Sequence, residues 1–180
     1  MSGIPCPLRS LSKLSLVSRS KLDEVKEELN ESNFLQHINT CIGQTKGIGG
    51  SMDVEQCLLL YALVRALRPE IVIETGVANG VSSSFILKAL DRNDRGHLYS
   101  IDLPCREGIS VPFGKHLGWI IPDELRYRWR LLLGESTKVL PRLLNSLKYV
   151  DIFLHDSRHL YKTMMKEYSI VWPFLRNGGF

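Results

Sequence analysis

The most specific chemical signal in the chain is a pair of glycines four residues apart with an acid ahead of them: Glu74-Thr75-Gly76-Val77-Ala78-Asn79-Gly80. Glycine lets a backbone turn tightly and approach a ligand, because no Cβ stands in the way. Ser82, Ser83 and Ser84 then open a helical pattern, whose free N–H groups can receive a carboxylate. A nicotinamide or flavin fingerprint would need glycines at 76, 78 and 81, where the chain has Gly76, Ala78 and Val81. It also leaves Glu74 without a purpose, whereas a carboxylate there suits a ligand carrying a positive amino group. The dinucleotide reading is therefore disfavoured.

Three further stretches carry reactive or polar side chains: Asp102, the triplet Gly134-Glu135-Ser136, and the run His155-Asp156-Ser157-Arg158-His159. Each has a plain alternative. Asp102 or Glu135 can cap a turn, and Ser136 is equally at home as an N-cap. His155 and His159 are four apart, but a strand end and a turn separate them, so the helical zinc spacing does not apply. Asp156 is suited to bind a hard cation such as magnesium through oxygen. Alternatively His155 or His159 serves as a general base, or the run is only a polar turn.

These residues need elements to position them. Residues 22–38 read as one polar helix, the glycine-rich stretch 43–50 as a mobile loop, and residues 54–67 as a helix capped by Asp53. Short runs at 71–73, 98–101, 129–133 and 150–154 read as strands, the first with the look of a strand buried on both faces. They alternate with helices predicted at 82–90, 136–147 and 160–175. That alternation means a doubly wound, mostly parallel α/β sheet with an N-terminal helical extension. In such sheets ligands sit beyond the carboxyl ends of the strands, at the point where strand order reverses. All four chemical stretches fall just past a predicted strand. The connection 103–128 is long and rich in proline and glycine, and His116, Trp119, Arg126 and Arg128 make it a candidate substrate lid or dimer contact.

Glu74-x-Gly76-x-x-x-Gly80 resembles the first motif of class I S-adenosylmethionine-dependent methyltransferases. Tyr99-Ser100-Ile101-Asp102, Leu133-Gly134-Glu135-Ser136, Phe153-Leu154-His155-Asp156 and Arg176-Asn177-Gly178-Gly179-Phe180 match that family's later strand ends in order. The resemblance, to the small-molecule branch with a Rossmann-like fold, runs from Asp53 onward, about two-thirds of the chain. It implies that Glu74, Thr75 and the loop Gly76, Val77, Ala78 and Gly80 hold the methionine part of S-adenosylmethionine, with Ser82 at the helix opening. It further implies that Asp102, followed by Leu103, meets the ribose, and that Gly134, Glu135 and Ser136 flank the adenine. Asp156, His155 and His159 then stand near the reacting end, where some relatives use Asp156 for a divalent cation such as Mg. Two positions depart from the family: Ala78, where glycine is frequent, and Glu135, where aspartate is usual. The implied activity is methyl transfer to a small-molecule hydroxyl. Its rivals are a scaffold protein that keeps the fold without chemistry and a nicotinamide-dependent oxidoreductase.

Composition agrees with an ordinary globular domain: of 180 residues, 44% are hydrophobic and 23% charged, and the net charge is +4. Acids and bases are interspersed, so no nucleic-acid partner is expected. Cys6, Cys41, Cys57 and Cys105 lack zinc spacing, and no apolar run of about 18 residues is present to span a membrane. These features fit a cytoplasmic protein with reduced thiols, and a homodimer is compatible with them. Residues 1–21 read as a basic, disordered arm, 22–69 as a helical region, and 70–180 as a partial cofactor-binding domain. The sequence reaches Phe180 only one residue into an expected fifth strand. The fourth strand is thus expected to be a bare apolar edge, and the 180-residue chain poorly active alone.

Overall fold

A computed structural model describes residues 19–45, 52–105 and 107–180. Residues 1–18 of the expected arm and most of the glycine-rich loop lie outside them, whereas the arm's last three residues open the first helix. Helices α1 (Arg19–Glu31), α2 (Phe34–Ile42) and α3 (Val54–Leu67) lead into β1 (Ile71–Thr75). After it come α4 (Val81–Arg92), β2 (His97–Asp102), a 3-10 turn (Asp123–Arg128), β3 (Trp129–Leu133), α5 (Ser136–Leu147), β4 (Ile152–His155) and α6 (Tyr161–Val171). A 3-10 turn at Trp172–Phe174 ends α6 earlier than the expected 175.

The single helix expected over 22–38 is two helices. Asn33 sits at φ 55°, in the left-handed region that asparagine tolerates better than most residues, and its N–H bonds the Asn30 carbonyl at 3.1 Å. The break turns Phe34, Ile38 and Cys41 inward. Asp53 caps α3 as expected, its carboxylate accepting from the Glu55 N–H at 3.4 Å.

All four strands are parallel, in the order β3-β2-β1-β4. The chain steps from β1 outward to β3 and then returns to the other side of β1. The order therefore reverses between β1 and β4, and a crevice opens there at the carboxyl ends.

Alternation along the strands assigns each side chain to a face. Val72, Leu98 and Ile152 join Tyr61, Phe85 and Ile86 in a core under α1–α4. Ile73 and Ile101 join Leu140, Leu144 and Val171 in a second core under α5 and α6. Two residues on, the same rule sends Glu74 towards α4 and Thr75 towards α6.

Residues 175–180 run along the outer side of β4. Arg176 N–H bonds the Val150 carbonyl at 2.9 Å, Phe180 N–H bonds the Asp151 carbonyl at 2.9 Å, and Phe153 N–H bonds the Phe180 carbonyl at 2.8 Å. The edge of β4 expected to be bare is thus partly paired. No helix among the described residues is long and apolar enough to cross a membrane.

Candidate active site

Gly76 has φ +90°, and a Cβ built on it would lie 2.2 Å from the Asp156 carbonyl oxygen. Only glycine lets the ends of β1 and β4 meet this closely. The loop that follows is held from two directions. From below, Asp102 Oδ2 accepts the Val77 N–H at 2.8 Å and the Ala78 N–H at 3.0 Å, while Oδ1 accepts the Leu103 N–H at 2.7 Å. From above, the Gly118 N–H bonds the Ala78 carbonyl at 2.9 Å and the Ile120 N–H bonds the Asn79 carbonyl at 3.1 Å. Trp119 Nε1 completes the attachment by donating to Asn79 Oδ1 at 2.8 Å.

The long connection is therefore mainly a clamp. A Cβ on Gly80 would come 2.7 Å from the Gly118 Cα, so residues 118–121 lie directly on the start of α4. Arg126 donates to the Gly118 and Ile121 carbonyls at 2.8 and 3.0 Å, and buried Arg128 pairs with Asp94 at 2.7 Å. Trp119, Arg126 and Arg128 are thus structural, contrary to the lid expectation. Only Leu103 and Ser110 of the described connection reach the cleft.

That cleft, of about 640 Å³, lies at the carboxyl ends of all four strands. Its floor is Gly76, Val77, Ala78 and Asp102; one wall is Gly134, Glu135, Ser136 and Thr137, and the other is Asp156, Ser157 and Arg158 with Lys162, Thr163 and Lys166 of α6. Ile101 and Leu103 add apolar surface. Eight of the expected cofactor residues meet here: Gly76, Val77, Ala78, Asp102, Leu103, Gly134, Glu135 and Ser136.

The other four do not. Glu74 is fully buried beneath the loop, with Oε1 accepting from the Ser82 hydroxyl at 2.5 Å and Oε2 from Ser83 at 2.6 Å and Ser100 at 2.9 Å. Its side chain follows the strand alternation into the α4 face, so it braces the helix start instead of meeting a ligand's amino group. Burial pushes its carboxyl up to about 7, against the hydrogen bonds of the three serines, with the Asp156 charge adding to the rise. Ser82 is turned towards it, Gly80 is covered by Gly118, and the Thr75 hydroxyl is committed to Glu167 at 2.8 Å.

Glu167 is the residue that sequence reasoning missed. From α6 it gathers Thr75, Ser136, His155 and Ser157, hydrogen-bonding His155 Nδ1 at 2.7 Å and Ser157 Oγ at 3.1 Å. Burial raises its carboxyl, but the hydrogen bonds from Ser136, His155 and Thr75 outweigh that and hold it below the usual range. Its signal was present: Leu160, Met164, Val171 and Phe174 form a helical stripe in which position 167 is the one acid. This hub sets the fate of His155, whose side chain is 3% exposed and whose Nε2 is buried without a partner. His155 lies under the cleft rather than in it, so as it stands it cannot take a proton from a bound molecule.

Asp156 does face the cleft. Its carboxyl is raised by burial, against the neighbouring His159 and His155, and His159 Nε2 lies 3.9 Å from its Oδ1 with the imidazole largely in solvent. Among the described residues no three His, Cys, Asp or Glu side chains converge to hold a metal ion. Asp156 by itself is too few oxygens for the hard-cation site it was expected to join. Glu135, at the N-cap of α5, is held below the usual carboxylate range by Lys138, at 2.7 Å, and Thr137.

A family profile described as a methyltransferase domain matches residues 73–180, from the middle of β1 to the last residue of the sequence. The chain belongs to this methyltransferase-domain family. No curated protein sequence matches it significantly. Among solved structures, this methyltransferase domain resembles the SAH-bound Podospora anserina methyltransferase PaMTH1 at TM-score 0.61 and 12% identity, over 91% of this chain and 68% of that one. It also resembles the O-methyltransferase TomG of Streptomyces achromogenes, solved with SAM, at TM-score 0.58 and 15% identity over 89% and 62%. For the Bacillus cereus O-methyltransferase, solved with SAH, the figures are 0.53, 15%, 89% and 63%. The chain spans under two-thirds of the length of the latter two, and 28% of the mycinamycin-pathway methyltransferase MycE.

Proposed function

We propose that this chain is the cofactor-binding part of an S-adenosylmethionine-dependent methyltransferase acting on a hydroxyl of a small molecule. The observation that carries the reading is the convergence of all four strand ends on one cleft, floored by a glycine loop that Asp102 anchors. A volume of about 640 Å³ suits a nucleoside joined to an amino acid. Asp102 Oδ1 accepts a single backbone N–H and retains a lone pair for ribose hydroxyls. Ile101, Leu103 and the turn Gly134–Ser136 offer an apolar and polar edge to the base, and the Gly76–Ala78 backbone faces the amino-acid end. S-adenosylmethionine, once bound, would supply an electrophilic methyl group on a sulfonium.

What the chain contributes is position and one proton acceptor. Asp156, whose carboxyl burial raises above its usual range and which His159 flanks, is placed to receive the acceptor's hydroxyl proton and pass it to the exposed imidazole. A requirement for such a base is what favours oxygen as the acceptor atom. His155 acts by position, fixing the turn through Glu167. Calorimetric titration with S-adenosylmethionine, its demethylated product and NAD tests the cofactor. Tighter binding of the first two is expected, and tighter NAD binding overturns the reading.

A further inference from the structure

Asp156 is bracketed by two residues that end on the same buried side chain. His155, before it, meets Glu167 Oε2 through Nδ1 at 2.7 Å, and Ser157, after it, donates its hydroxyl to Oε1 at 3.1 Å. The Asp156 N–H bonds the Thr75 carbonyl at 2.8 Å, and the Thr75 hydroxyl in turn donates to Oε2 at 2.8 Å. Three of the donors to Glu167 thus surround the candidate proton acceptor. Another comes from elsewhere: Ser136, in the turn offered to the adenine, donates to the same Oε1 that Ser157 uses. Ser136 and Ser157 stand on opposite walls of the cleft, so the two walls meet on one oxygen atom beneath it. Glu167 is fully buried and does not itself line the cleft. So many donors on one side chain call for an ionised carboxylate, which only accepts and so leaves the proton on His155 Nδ1. His155 Nε2 has no partner, so Glu167 is the ring's one hydrogen-bond anchor among the described residues. Hydrogen bonds that share an acceptor in a low-dielectric interior polarise one another, and a change at one donor is felt by the rest.

We propose that Glu167 is a positioning residue that joins the two halves of the site, setting Asp156 according to what occupies the adenine side. A base settling against the Gly134–Ser136 turn alters the hold of the Ser136 hydroxyl on Oε1. Ser157, on the same atom, carries that change to Asp156 next to it. Cofactor occupancy thereby brings the proton acceptor to its working place. The inference rests on the methyltransferase reading for the roles of the adenine side and of Asp156.

Adenosine is the probe, because it fills the adenine side without the amino-acid end that would approach Asp156 directly. The backbone amide resonances of Asp156 and Ser157 are followed in the isotope-labelled 180-residue chain as adenosine is titrated to saturation. Both should shift in the wild type. In Glu167→Met, which keeps the side chain's length and loses both oxygens, the shifts should vanish at saturating adenosine. Ser136→Ala removes one donor and leaves the carboxylate its other three, so it carries the test should Glu167→Met fail to fold. Its shifts should vanish too, with adenosine affinity changed by no more than about tenfold, the weight of a single hydrogen bond. Thr137→Val loses a hydroxyl of the same turn that serves Glu135 instead, and should respond as the wild type does. A merely structural Glu167 would lower the melting temperature of its variants and leave the amide shifts as they were. Wild-type amides that do not move, equal movement in Ser136→Ala, or silence in Thr137→Val overturns the proposal, while adenosine binding keeps the cofactor reading. If neither adenosine nor S-adenosylhomocysteine binds the wild-type chain, the cofactor reading falls and takes this inference with it.

Discussion

Glu74 and Asp102 are both acids near the end of a strand, yet alternation gives them different work. Glu74 faces α4 and is sealed from solvent; Asp102, on the last residue of β2, reaches the cleft and the loop above it. With its folded carboxyl near 7 and an unfolded value near 4.5, Glu74 retains its proton in the native state over a range where the unfolded chain has lost it. Its contribution is thus fully present below about 4.5 and lost as pH rises through about 7, a swing on the order of 2–4 kcal/mol. Glu74→Gln cannot ionise, so denaturant titrations from pH 5 to 8 should show a flatter stability curve and a variant more stable than wild type at pH 8. A variant that follows the wild-type curve would show that Glu74 does not titrate in this range. Asp102→Ala should cost about 1–3 kcal/mol of stability even without ligand, because the Val77 and Ala78 N–H groups lose their acceptor. It should also weaken S-adenosylhomocysteine binding by a similar amount. A loss in binding with no loss in melting temperature would mean the loop does not depend on Asp102.

At the scale of elements, the site is a joint between β1, β4 and the connection after β2. Gly76 packs so closely on the end of β4 that Gly76→Ala must push the Asp156 carbonyl aside while also holding alanine at positive φ. A loss on the order of 2–4 kcal/mol is expected, within the range of severe single substitutions. Gly114, also at positive φ but with nothing near its Cβ position, serves as the comparison: Gly114→Ala should cost only about 1 kcal/mol, from backbone strain. Equal effects in chemical denaturation would show that the β1–β4 contact carries no special constraint. The clamp at residues 118–121 makes a parallel point. Glycine and tryptophan in a long connection suggested mobility, whereas hydrogen bonds to Ala78 and Asn79 tie it to the loop it was expected to open over.

For the whole molecule, two cores on opposite faces of one four-stranded sheet make the cleft depend on the packing of both. A ligand that bridges the strand ends should therefore stabilise the fold as a unit. S-adenosylhomocysteine at about 100 times its dissociation constant should add about 2.7 kcal/mol, read as a rise in melting temperature. NAD at equal concentration should add less. Cys57 gives an independent report, since it is a buried residue of α3 and its thiol is pushed up to about 12 by burial and by the nearby Glu74, Asp156 and Asp53 charges. Its labelling should be slow and should slow further with ligand, while exposed Cys105 reacts at once. Fast labelling of Cys57 would mean this face of the sheet opens locally.

What was legible in the sequence was whatever depends on neighbours along the chain. Apolar runs bounded by turn residues located the strands, β3 and α5 to their end residues, because buried strands and helix periods write themselves into local composition. Glycine spacing and strand-end acids located the cleft, because a parallel sheet presents all its strand ends on one edge. The sequence did not determine which way each polar side chain turned. Glu74 and Asp102 look alike until the pleat assigns their faces, and His155 looks like a base until Glu167, twelve residues on, closes over it. Asn33 split one expected helix in two through a single left-handed residue. The burial of Glu74 and of His155 rests on partners from other elements, Ser100 and Glu167, and a buried hydrogen bond is decided by whatever partner the fold brings within about 3 Å.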